Sequence, residues 1–96
     1  MAEEAIPLLR AALIKEPESA DAYSQLAMAY GRKSDYADAD LASAQAAFAR
    51  GDNKTARELA ERAKQRFPVG SPGWVRADDI VAFNKNMKRN PLFGGQ

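Results

Sequence analysis

The sequence predicts an all-α fold, an antiparallel array of about five helices wound as an α-α superhelix. Apolar residues recur at spacings of three and four along most of the chain, as they do on helix faces. No stretch alternates as a strand would. Breakers at Pro17, at Gly51-Asp52-Asn53 and at Val69-Gly70 divide the chain into segments joined by short turns, which forces neighbouring helices antiparallel. Ninety-six residues support one compact domain, near the lower end of what holds a core without staples.

The first helix is expected over Ala2 to Glu16. Glu3 and Glu4 suit its first turn, and Ile6, Leu9 and Leu13 with Ala5 and Ala12 form its buried stripe. Pro7 lies early enough that the helix could begin nearer Ile6, and Pro17 ends it. Ser19 is placed to cap a second helix running from Ala20 to about Lys33, with Tyr23, Leu26, Ala27 and Tyr30 inward. Gly31 either admits a neighbouring backbone or begins the unwinding.

The stretch Asp35 to Asp52 organises the rest. It opens with an aspartate at the cap position and stops at Gly51, and between them alanines cover almost every face. A surface helix shows one apolar stripe, whereas a helix that is small and apolar all round is packed on more than one side. This helix is therefore expected between two neighbours. Ala56, Leu59, Ala60 and Ala63 set the stripe of a fourth helix closed by Phe67-Pro68. Ser71-Pro72 begins a fifth, with serine as cap and proline in the first turn, ending near Lys88-Arg89 before Asn90-Pro91. Trp74 is expected to bury against Leu59, Ala63 or Phe67 and seal the stack, so that Trp74→Ala costs roughly 3–5 kcal/mol.

Composition narrows the chemistry. The chain has no cysteine and no histidine, so thiolate metal sites, disulfides and the commonest general base are all missing. No apolar run approaches the length of a membrane span and no secretory signal opens the chain. Net charge is +1, yet residues 1–40 carry four cations against eight acids while residues 41–96 carry ten against five. The cations of residues 50–66 alternate with acids at helical spacing, the pattern of a solvated face rather than of a nucleic-acid surface.

The chain also repeats itself. Ala5, Leu9 and Ala12 are matched 34 residues later by Ala39, Ser43 and Ala46, and with Pro17 they recur about 51 residues on as Ala56, Ala60, Ala63 and Pro68. Asp35-Tyr36 and Asp52-Asn53 lie 17 apart, half that period. In this spacing, in Tyr23, Leu26, Ala27 and Tyr30, and in the closing prolines, residues 2–68 resemble the tetratricopeptide repeat. The departure is that the alanine-rich helix must serve as second helix of one unit and first helix of the next. Its first-helix positions hold Asp40, Ser43, Ala44 and Ala47 in place of bulky residues, which implies tighter packing.

The run ADLASAQAAFARGD, followed by LAERAK and by FPVGSPGWVRADDI, is similar to the C-terminal tetratricopeptide tail of bacterial Ste24-like zinc metallopeptidases. That resemblance implies a periplasmic or cell-envelope setting, with zinc held by an HExxH helix of a separate catalytic domain. On that view this chain is not an enzyme and holds no cofactor itself. Residues 1–89 would form the helical domain, with a capping helix over 71–89 and a flexible tail over 90–96.

Stacked repeats leave a concave surface where peptides bind. The candidates lining it are Asp21, Ser24, Met28 and Arg32 on the second helix and Leu41, Gln45 and Phe48 on the central one. Tetratricopeptide clamps for a C-terminal carboxylate use lysine and asparagine where this chain has Ser24 and Met28, so an apolar contact through Met28, Leu41 and Phe48 is expected instead. The plainer expectation for the same side chains is packing against the last helix or the tail. The expected partner is a protein or peptide, either the cognate protease domain or an unfolded envelope protein, with no nucleic acid and no membrane insertion; the competing expectation is a self-standing scaffold that oligomerises. Asp78 and Asp79 point about 100° apart on a helix and so suit ion pairs better than a metal. Arg50-Gly51-Asp52 is explained by turn chemistry, Asn53-Lys54-Thr55 by a helix start, and Lys85, Lys88 and Arg89 by the favourable charge of a helix C-terminus.

Overall fold

The computed structural model describes residues 1–89, the side chains of 84–89 excepted. It is all-helical over that range, with α1 (Ala2–Lys15), α2 (Ala20–Arg32), α3 (Tyr36–Ala49), α4 (Asn53–Arg66) and α5 (Pro72–Arg89). The expected tail over 90–96, the Asn90-Pro91 stop and the Lys85, Lys88 and Arg89 charge set lie outside the described residues or side chains. Each helix packs on the next, and the α5 backbone also comes close to α3, whereas that of α1 comes close to α2 alone. The result is an open series rather than a closed bundle.

α3 is the wall between two cores. On one side Ala42 joins a core with Ile6 of α1 and Leu26, Ala29 and Tyr30 of α2. On the other, Leu41, Ala44 and Ala47 meet Ala56, Ala60 and Ala63 of α4 and Ala77, Ile80 and Val81 of α5. The alanines of α4 have no exposed surface, so their small size sets the distance at which α3, α4 and α5 converge. At the start of α5 the approach is closer still, because a Cβ on Gly73 would sit 2.4 Å from the Phe67 ring.

Two turns half a repeat apart share one geometry. After α2, Asp35 N–H donates to the Tyr30 carbonyl and Ser34 N–H to Gly31; after α3, Asp52 N–H donates to Ala47 and Gly51 N–H to Phe48. Each pair satisfies carbonyls the helix end leaves open, and each needs a left-handed residue between. Glycine fills that position at Gly51 (φ 83°), but Ser34 adopts it at φ 63°. The starts of the following helices differ too. Asp52 accepts from Thr55 N–H, as Ser19 does from Ala22 and Ser71 from Trp74. Asp35 occupies the cap position of α3 but, contrary to expectation, makes no side-chain cap bond.

Several other expectations are corrected. α1 begins at Ala2, not nearer Ile6, with Pro7 inside it; the ring has no N–H to give the Glu3 carbonyl one turn back. Ala12 is exposed, since α1 has only α2 to pack on. Gly31 has no neighbour within 4 Å of an added Cβ and stays helical, so it admits no close backbone. Trp74 is half-buried and outside the core, because Gly73, Ala77, Ile80 and Val81 already fill the face that α5 turns inward. The Lys64 ammonium covers its ring at 4.7 Å and also pairs with Asp78 at 2.7 Å, the ion pair expected for that carboxylate.

Asp40 is the one buried charged residue among those described. Its Oδ1 accepts from Arg62 at 2.9 Å, and Arg66 Nε lies 2.9 Å from Oδ2 as an ion pair without an aligned hydrogen bond. Arg62 and Arg66, one turn apart on α4, thus clasp a carboxylate of α3, and Arg66 also lies 5.8 Å from the centre of the Tyr36 ring. The bond to Asp40 and its charge raise the Arg62 pKa.

Candidate interaction groove

Because α5 reaches α3 and α1 does not, a trough opens between α1 and α5 with α3 as its floor. One stretch, of about 510 Å³, is lined by Tyr23, Gln45, Phe48, Arg76, Asp79 and Ile80 among others. The adjoining stretch, of about 270 Å³, runs on over Leu41 and Asp38 to Arg10 and Leu13 of α1. Tyr23, Gln45 and Arg76 belong to both, so the two are continuous. On α3 the floor residues Asp38, Leu41, Gln45 and Phe48 recur at three and four, which places them on one helical stripe.

The walls are held in place from several directions. Arg10 donates to the Tyr30 hydroxyl, and its guanidinium carbon lies 5.6 Å from the centre of that ring. Tyr23 donates to the Pro17 carbonyl at 3.0 Å, fixing the α1–α2 corner. Phe48 meets Phe83 of α5 edge to face, with ring centres 5.0 Å apart. Burial raises the pKa of Asp38, and the neighbouring Asp35 raises it further through a hydrogen bond and its charge. Arg10 and Arg76 oppose that shift. The trough therefore has an apolar end at Phe48 and Ile80 and a charged end where an acid faces arginines from both walls.

The expected lining residues divide between two faces. Leu41, Gln45 and Phe48 line the trough, and Phe48 also meets the last helix, as the plainer expectation had it. Ser24 and Met28 do not join them. They lie over Ser43, Ala46 and Ala47 on the opposite side of α3, where Arg50 donates to Ser24 at 2.8 Å. Asp21 borders a shallow dip at the α1–α2 turn, and Arg32 is exposed away from every depression described. The physical reason is that α3 presents opposite stripes to the two sides, so side chains of α2 that reach one stripe cannot reach the other.

Arg10, Asp38 and Arg76 were not among the expected groove residues. Asp38 continues the Leu41, Gln45, Phe48 spacing by one turn and could have been found from it. The arginines come from helices far apart in sequence, and only their packing brings them together.

The donors that zinc prefers are missing from the sequence, and no group of three or more potential ligands converges among the described residues. The side chains here do not fit a zinc centre. No family model matches the chain, and no curated protein or solved structure does either.

Proposed function

We propose that this chain is a non-catalytic protein-interaction module that receives an extended or helical peptide segment in the trough between α1 and α5. The observation that carries this reading is the trough itself, a continuous channel with a partly apolar floor and polar groups at its rim. Such a lining can desolvate an apolar side chain while Gln45, Arg76 and Asp79 meet a peptide backbone or its polar side chains. Among the described residues no helix is long and apolar enough to cross a membrane. In line with the family resemblance, the proposed setting is the C-terminal tetratricopeptide domain of a bacterial envelope zinc metallopeptidase. There it would recruit substrate or partner proteins or restrain the protease, and the zinc would belong to the separate HExxH domain.

Titration of the isotope-labelled chain with unfolded outer-membrane protein, or with the cognate catalytic domain, tests this reading. Amide shifts should concentrate at Tyr23, Gln45, Phe48 and Arg76, and Gln45→Arg should abolish them with the fold retained. Shifts confined to the Ser24 and Met28 side, or unaffected by Gln45→Arg, would refute it. The exposed apolar side of α1 favours a second reading, a self-standing scaffold that oligomerises.

A further inference from the structure

α1 buries Ile6 and half-buries Leu9 and Leu13 against α2, yet it leaves Leu8 71% and Ile14 84% exposed. No other helix among the described residues covers that outward side. Along it, Glu4, Leu8, Ala11 and Lys15 follow one another at intervals of four, three and four, the spacing of a seam between two helices. Ile14 and Pro7 flank this stripe on one side and Ala12 on the other. The apolar part is thus bracketed by an acid at one end and a base at the other, and neither is paired within the described chain.

We infer that this stripe is a self-association surface on which a second copy of the chain lays its own α1 antiparallel. In the register that sets Glu4 opposite Lys15 of the other copy, two-fold symmetry repeats the pair at the far end and sets each Leu8 opposite an Ala11. The small alanine admits the leucine, and the helix dipoles run opposed. A parallel arrangement would instead place Glu4 against Glu4 and Lys15 against Lys15, which is repulsive. The bracketing charges therefore select both the occupant and its direction.

A seam of about four turns buries less than the ~1,200 Å² of a standard interface, so the dimer is weak and concentration-dependent. Peptide binding does not depend on it, because Arg10 and Leu13, which line the trough, point to the opposite side of α1.

Sedimentation equilibrium of the full chain over a concentration series is the test. The native chain should pass from monomer to dimer. Leu8→Glu should remain monomeric with an unchanged circular-dichroism melt, since that side chain touches no core. Glu4→Lys and Lys15→Glu should each weaken the dimer about tenfold, and the double reversal should restore it. A native chain that stays monomeric throughout would overturn the inference, with the face then left to an unlike partner. Dimers that survive Leu8→Glu, or a double reversal that fails to restore them, would also overturn it.

Discussion

The two sides of α3 are packed on different principles. Towards α1 and α2 the core is made by a few large side chains, Ile6, Leu26 and Tyr30, around small Ala42. Towards α4 and α5 it is made chiefly by alanines, with Ile80 and Val81 closing it. Large residues keep helix axes apart, and the α1 backbone accordingly lies close to α2 but not to α3. Alanines let three helices converge, so α5 reaches both α4 and α3. The trough is the consequence of this asymmetry.

Enlarging one alanine on each side of α3 should separate the two cores most clearly. Ala60→Leu places extra methylenes where no void exists and should cost about 3 kcal/mol in urea denaturation. Ala27→Leu, at a half-buried site bordering an open depression, should stay within about 1 kcal/mol of the native chain. Equal losses would mean that the two cores are equally tight.

A smaller effect separates the two turns that bound α3. Ser34 carries a side chain in the left-handed conformation that glycine adopts freely at Gly51. Ser34→Gly should therefore raise stability by about 1 kcal/mol, and Gly51→Ser should lower it by a similar amount. If Ser34→Gly proves destabilising, contacts of the serine outweigh the backbone cost.

The smallest effect is pH-dependent and belongs to the charged end of the trough. Asp38 is more easily protonated in the folded chain than in the unfolded one. The stability linked to its protonation is therefore fully present below the unfolded pKa and is lost as pH rises through the higher folded pKa. Asp38→Asn should be more stable than the native chain near neutral pH, and the difference should shrink as pH falls into the usual carboxylate range. A difference that grows on acidification would show that Arg10 and Arg76 outweigh burial and Asp35.

Much of the architecture was legible in the sequence because it is local. Ser19 and Ser71 cap where hydroxyls before a helical stripe should cap, and Pro17, Gly51 and Phe67-Pro68 punctuate as their backbone chemistry requires. The alanine coverage of α3 announced a helix packed on several sides. The trough was half legible. Leu41, Gln45 and Phe48 share a stripe that periodicity reveals, but nothing local says which stripe Ser24 and Met28 approach. Trp74 was misplaced for a related reason. Large aromatic residues usually anchor a cap, and here smaller neighbours on α5 had already taken the inward face.

Spacing, caps and breakers act within a few residues, and they were enough to specify the helices, their approximate ends and the role of α3 as a shared wall. Packing between distant segments brought the α5 backbone close to α3 and kept that of α1 away, and so set where the channel opens and which arginines look across it. That outcome depends on the sizes of side chains from distant segments meeting at one distance, a quantity that no single stretch of chain contains.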